Sequence, residues 1–113
     1  MDEKTNHIVN KFTEDIKEIL GTNLNQAILY GSYARGNNSH ESDIDIMILI
    51  DIEESDIEFR KARDVIIEHA VDFLMEYDVD ISPIVANTNH FEYWIDALPF
   101  YQNVRQEGVV LYG

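Results

Sequence analysis

The 113-residue chain contains no cysteine, which excludes a disulfide scaffold, a thiolate zinc site and a cysteine nucleophile. It has only two prolines and five glycines, and no repeat or Pro/Gly/Ser-rich linker divides it, so residues 1–113 read as one domain. No apolar run approaches the ~20 residues of a membrane span, and the polar start MDEKTNHIVNKF lacks a signal peptide's apolar core. A cytoplasmic location with no membrane partner is the expectation. Cations are scarce: eight Lys and Arg stand against 22 Asp and Glu, a formal charge of −14. This balance argues against a basic face for duplex nucleic acid, and any polyanion bound here needs metal cations to help. The four histidines, His7, His40, His69 and His90, lack H-x3-H spacing and argue against zinc.

What is present is an alternation of helical and strand patterns. Ile8, Phe12, Ile16, Ile19 and Leu20 recur at helical spacing before Gly21, which predicts an amphipathic helix from about Thr5 to Leu20. Gln26 to Tyr30 is a short apolar run that fits a buried strand entering a turn at Gly31-Ser32, with a helical turn over Ser32 to Arg35 next. Asp43 to Ile50 alternates at its start and reads as a central strand with Ile44, Ile46, Ile48 and Ile50 on one face. Ser55 and Glu58 resemble a capping box before a long helix marked by Ala62, Val65, Ile66, Ala70, Phe73, Leu74 and Tyr77. That helix makes the crossover between two neighbouring strands. Val79 to Ser82 reads as the next strand, with Pro83 suggesting a sheet edge or a strand end. Asn89 and Glu92 could cap a helix holding Phe91, Trp94 and Ile95. Pro99 can open another helix, and Gly108 precedes a last strand over Val109 to Tyr112. The fold class is α/β.

Two carboxylates at i and i+2 of a strand point to the same face, roughly 6–7 Å apart, close enough to share a hard cation or hold two. Asp43 and Asp45 have that relation, although eleven aspartates predict about one such pair by chance and Asp78 with Asp80 is a second. Gly31-Ser32 after a buried strand is a place where backbone N–H groups and a hydroxyl can face a phosphate. The combination of Gly31-Ser32, ten residues, then Asp43-Ile44-Asp45 is far more specific than either part. Arg35 is either a neutraliser of phosphate charge or a surface partner of Glu41. Tyr30 and Tyr33 flank the loop and read as packing residues that could also stack on a base or ribose. His69 reads as a partly buried packing residue, and the acidic run from Asp51 to Glu58 as a solvated loop and helix start.

GSYARGNNSHESDIDIMILI resembles the G-S-x10-D-x-D signature of the DNA polymerase β-like nucleotidyltransferases, and its R-G and S-D-I-D portions resemble the minimal nucleotidyltransferase (MNT) family. The resemblance implies a single-domain fold with a mixed sheet of about four strands flanked by helices. It implies a third carboxylate on the next strand, and Asp80 is the choice over Asp78, whose parity is the same. It implies Mg²⁺, with two ions held by Asp43, Asp45 and Asp80, and ATP as substrate, with Gly31, Ser32 and Arg35 on its phosphates. Finally, it implies an antitoxin that moves AMP to a tyrosine hydroxyl of a helical HEPN toxin, in a homo- or hetero-oligomer. Two other readings remain open: a non-catalytic antitoxin whose charge masks a basic surface, and a transferase acting on a small molecule such as an aminoglycoside.

Overall fold

A computed structural model of the chain describes residues 1–39 and 42–113. Helix α1 (Glu3–Leu20) starts where the Asp2 carboxylate accepts the Thr5 backbone N–H at 2.7 Å, and it ends at Gly21. A short 3-10 turn leads into β1 (Leu24–Tyr30), then α2 (Ser32–Arg35), β2 (Ile44–Ile50), α3 (Ile57–Tyr77) and β3 (Ile81–Asn87). Two short helices, α4 (Thr88–Trp94) and α5 (Pro99–Glu107), precede the closing strand β4 (Val109–Tyr112). The expected mixed four-stranded sheet is present in the order β3-β2-β1-β4. The pair β2–β3 is parallel with α3 as its crossover, while β1 runs antiparallel to both β2 and β4.

Alternation along β2 divides the interior into two layers. Ile44, Ile46, Ile48 and Ile50 face α1 and α3, where they meet Val9, Phe12, Ile16, Ile66 and Phe73. Met47 and Leu49 face the other way, against Ile28, Phe91, Ile95 and Val104 under α4 and α5. Because β2 is buried on both faces, its sequence is nearly continuous in apolar residues, as an interior strand requires.

Two helix caps and the extent of one strand differ from expectation. The cap of α3 is Asp56, which accepts the Glu58 N–H at 2.9 Å, not Ser55. Asn87 caps α4 by accepting the His90 N–H at 2.9 Å, so Asn89 and Glu92 lie inside the helix rather than at its start. The strand expected over Val79 to Ser82 instead runs as β3 from Ile81 to Asn87, and of the two readings of Pro83 the edge holds and the strand end does not. Pro83 sits on the edge strand, and the Asp80 carbonyl accepts the Ile44 N–H at 2.8 Å. Even-numbered residues of β3 thus turn their backbone groups to β2, and the Pro83 nitrogen, which has no proton to give, points off the sheet.

Candidate active site

The sequence-selected groups gather at the end of the sheet where β1 finishes and β2 and β3 begin. Tyr30, the last residue of β1, pairs with Asp45 of β2, and Asp45 pairs with Ser82 of β3. Gly31 follows with φ 77°, a left-handed value that glycine adopts without strain. Its Cα lies flat against Asp45, and a Cβ there would overlap the Asp45 Oδ2. The turn therefore brings its backbone directly against one proposed cation-holding carboxylate, and Ser32 opens α2 immediately after it.

Asp43 and Asp80 stand side by side just before β2 and β3. Burial raises the Asp80 carboxyl above its ordinary value, and so do a hydrogen bond with the Asp43 side chain and the charge of Asp43. Asp45 is raised too, by burial first and by Asp43 second, while Arg35 acts in the opposite sense. Burial and the Asp45 charge push the Tyr30 phenol up to about 12. Burial leads in each of these shifts, and neighbouring negative charge adds to it. Asp78 belongs to a different element from Asp80. It terminates α3 in the left-handed conformation (φ 55°) instead of beginning a strand.

Around Asp43 and Asp80 opens a cleft of about 570 Å³, bounded by the start of α1 and the end of α3. Its described lining carries Asp2, Asp78, Tyr33, Ser39 and Ser42 besides that pair, and no cationic side chain. Gly31 itself lines a second, smaller hollow of about 210 Å³, together with Tyr30, Arg35, Phe100 and Glu107 among others. Arg35 Nη1 lies 3.3 Å from Glu107 Oε2 at the end of α5, and Tyr30 packs edge-on to Phe100 with centroids 5.6 Å apart. Glu41 and His40 lie outside the described residues. The partner that sequence reasoning missed is Glu107, 72 positions away, for which no local pattern gives a signal.

Among the described residues, no three acidic or imidazole side chains converge closely enough to enclose an ion. The aspartates form two neighbouring relations, Asp43 with Asp80 and Asp43 with Asp45. Their chemistry nevertheless suits Mg²⁺: every donor is a carboxylate oxygen, and a divalent cation would offset the Asp43 charge that adds to burial in raising Asp45 and Asp80. His69, in contrast, is occupied structurally, its Nε2 lying 2.9 Å from Asp15 Oδ2 of α1 and its ring between Phe12 and Phe73.

The sequence matches the nucleotidyltransferase domain family over residues 9–111. It is 36% identical over 94 residues to a Methanocaldococcus jannaschii protein named "Putative protein adenylyltransferase", covering 83% of this chain and 91% of that relative. A second protein of that organism and name is 36% identical over 104 residues, 92% of this chain and 94% of the relative. Among solved structures, the chain resembles one from a toxin-antitoxin crystallised with AMP-PNP, with TM-score 0.58 and 22% identity over 92% of this chain and 73% of that one. It also resembles a chain in the complex of a tri-AMPylated Shewanella oneidensis HEPN toxin with an MNT antitoxin, with TM-score 0.53 and 22% identity over 95% and 71%. At such identities the structural likeness concerns the fold.

Proposed function

Because this chain belongs to the nucleotidyltransferase domain family, we propose that it is a Mg²⁺-dependent protein adenylyltransferase that moves AMP from ATP to a tyrosine hydroxyl of a HEPN-type toxin. The observation that carries this reading is Asp45 set against the Gly31-Ser32 turn, with Asp43 close enough to act on both Asp45 and Asp80. The names of the two relatives support a protein as the acceptor, and the HEPN complex supports its class.

The residues divide the work by position. Gly31 offers its backbone and Ser32 its hydroxyl to the β- and γ-phosphates, and Arg35, once it leaves Glu107, offsets the charge of departing pyrophosphate. Asp43, Asp45 and Asp80 would be the residues that hold Mg²⁺. Mg²⁺ bound there would supply charge neutralisation and a lowered pKa for the acceptor hydroxyl. The hydroxyl gives up its proton to solvent and its oxygen bonds to the α-phosphorus as the bond to the bridging oxygen breaks, giving an AMP ester and pyrophosphate.

The test is mass spectrometry of a HEPN toxin incubated with ATP, Mg²⁺ and a substoichiometric amount of this chain. The expected result is a gain of about 329 Da per transfer on a tyrosine, the mass of AMP less water. Neutralisation of the toxin at one-to-one stoichiometry without ATP, with its mass unchanged and the Asp43→Asn variant fully effective, would overturn the catalytic reading in favour of masking.

A further inference from the structure

Helix α3 has two apolar faces, and the fold uses one. Phe59, Ile66, Ala70 and Phe73 are buried, whereas Ile67, Val71 and Leu74 are 44%, 51% and 40% exposed, with Met75 beside them at 82%. At about 100° per residue, Ile67, Val71 and Leu74 form a stripe roughly a quarter-turn round the helix from Ile66. Helix α1 does not cover it, since α1 meets α3 on the opposite flank through Asp15 and His69. Spacing of i, i+4 and i+7 is what one helix presents to another.

The charges of α3 indicate what covers the stripe. Its cations, Arg60, Lys61 and Arg63, all lie within its first two turns, and Asp64, Glu68, Asp72 and Glu76 follow. Arg60 and Arg63 fall on the stripe's side at its beginning, and Asp78, the C-cap, falls there at its end. Among the described residues neither arginine forms an ion pair. A parallel copy of α3 would set like charges against each other. An antiparallel copy related by a two-fold axis does the reverse: when Ile67 faces Val71 of the second copy, Arg60 faces its Asp78, and symmetry makes each contact twice.

We propose that this chain self-associates through an antiparallel α3–α3 interface, and that Arg60 of the second copy thereby reaches the rim of the acidic cleft. Leu74 and Asp78 belong to both the stripe and the cleft, whose described lining holds four aspartates and no cation. The second copy would supply the positive charge that this cleft lacks.

Sedimentation velocity on the full chain at rising concentration tests the idea. The weight-average mass should climb from 13.1 kDa towards twice that value. Val71→Asp, an exposed position, should stay monomeric with an unchanged circular dichroism spectrum. Arg60→Gln and Asp78→Asn should each weaken the dimer about tenfold, since two exposed pairs are lost. Combining them should cost no more than either alone. A wild-type chain that remains at 13.1 kDa throughout, or a dimer that survives Val71→Asp, overturns the proposal. So do additive effects of the two neutral substitutions. A chain that is monomeric alone but loses HEPN-toxin binding on Val71→Asp also overturns it and assigns the stripe to that partner.

Discussion

The two faces of the sheet differ in what covers them. One face lies under α1 and α3, helices of 18 and 21 residues, and its packing is closed by Phe12, Ile16, Ile66 and Phe73. The other lies under α4 and α5, helices of seven and nine residues, where Trp94, Leu98 and Phe100 stay partly exposed. Asp45 shares the facing of Met47 and Leu49, so it looks towards the thinner side. The lesson is a division of labour along a single strand. The isoleucines of β2 hold the fold on the closed face, Asp45 at an intervening position of the same strand looks the other way, and Asp43 and Asp80 open beyond the strand starts into the cleft at the ends of α1 and α3.

The sharpest way to break that division is chemical. Asp45→Asn should reduce transfer at least about 10²-fold, measured by release of pyrophosphate, because it removes a proposed cation-holding charge and leaves the packing in place. Near-normal turnover would move the site away from β2.

The second contrast is in stability. Phe73→Ala, on the closed face, should cost about 3–5 kcal/mol in urea unfolding. Phe100→Ala, on the thin face and 42% exposed, should cost less than about 1.5 kcal/mol and instead weaken nucleotide binding through the hollow it shares with Tyr30 and Arg35. Equal costs would mean that the two faces are not specialised. Gly31→Ala falls between them, at about 1–3 kcal/mol, since alanine there combines a left-handed φ with overlap on Asp45.

The smallest effect is electrostatic. The folded chain holds Asp45 above its ordinary pKa, so it binds that proton more tightly than the unfolded chain does. The resulting stabilisation is complete below the unfolded value of about 3.9 and is lost as pH rises through the higher folded value. At neutral pH the ionised Asp45 is thus a cost. Asp45→Asn should raise the Tm of the metal-free protein at pH 7, and the gain should fade as the pH falls towards 4. A lowered Tm at pH 7 would contradict this.

Much of this organisation was legible in the sequence because it rests on period and parity. Ile44 to Ile50 marked an interior strand, Phe12 and Ile16 a buried helix face, and Asp43 with Asp45 two neighbouring carboxylates at a strand start. Other features depend on distances that no local pattern encodes. Ser55 and Asp56 are both good caps, and only the path of the chain decides that the Asp56 oxygen meets the Glu58 N–H. Asp78 and Asp80 have equal parity, yet the helix consumes one as its cap while the other stands beside Asp43. Pro83 was compatible with either an edge or an end, and the sheet order decides for the edge. The Arg35–Glu107 pair joins the turn after β1 to α5 across most of the chain, beyond the reach of motif reasoning.

The central claim is that Asp43, Asp45 and Asp80 form a divalent-cation site for nucleotide. Calorimetric titration with AMP-PNP, in Mg²⁺ and then in EDTA, tests it most directly. Binding should be at least about tenfold weaker in EDTA, and Asp45→Asn should bind equally weakly in both buffers. Equal affinity of the wild-type chain with and without Mg²⁺ would contradict the account.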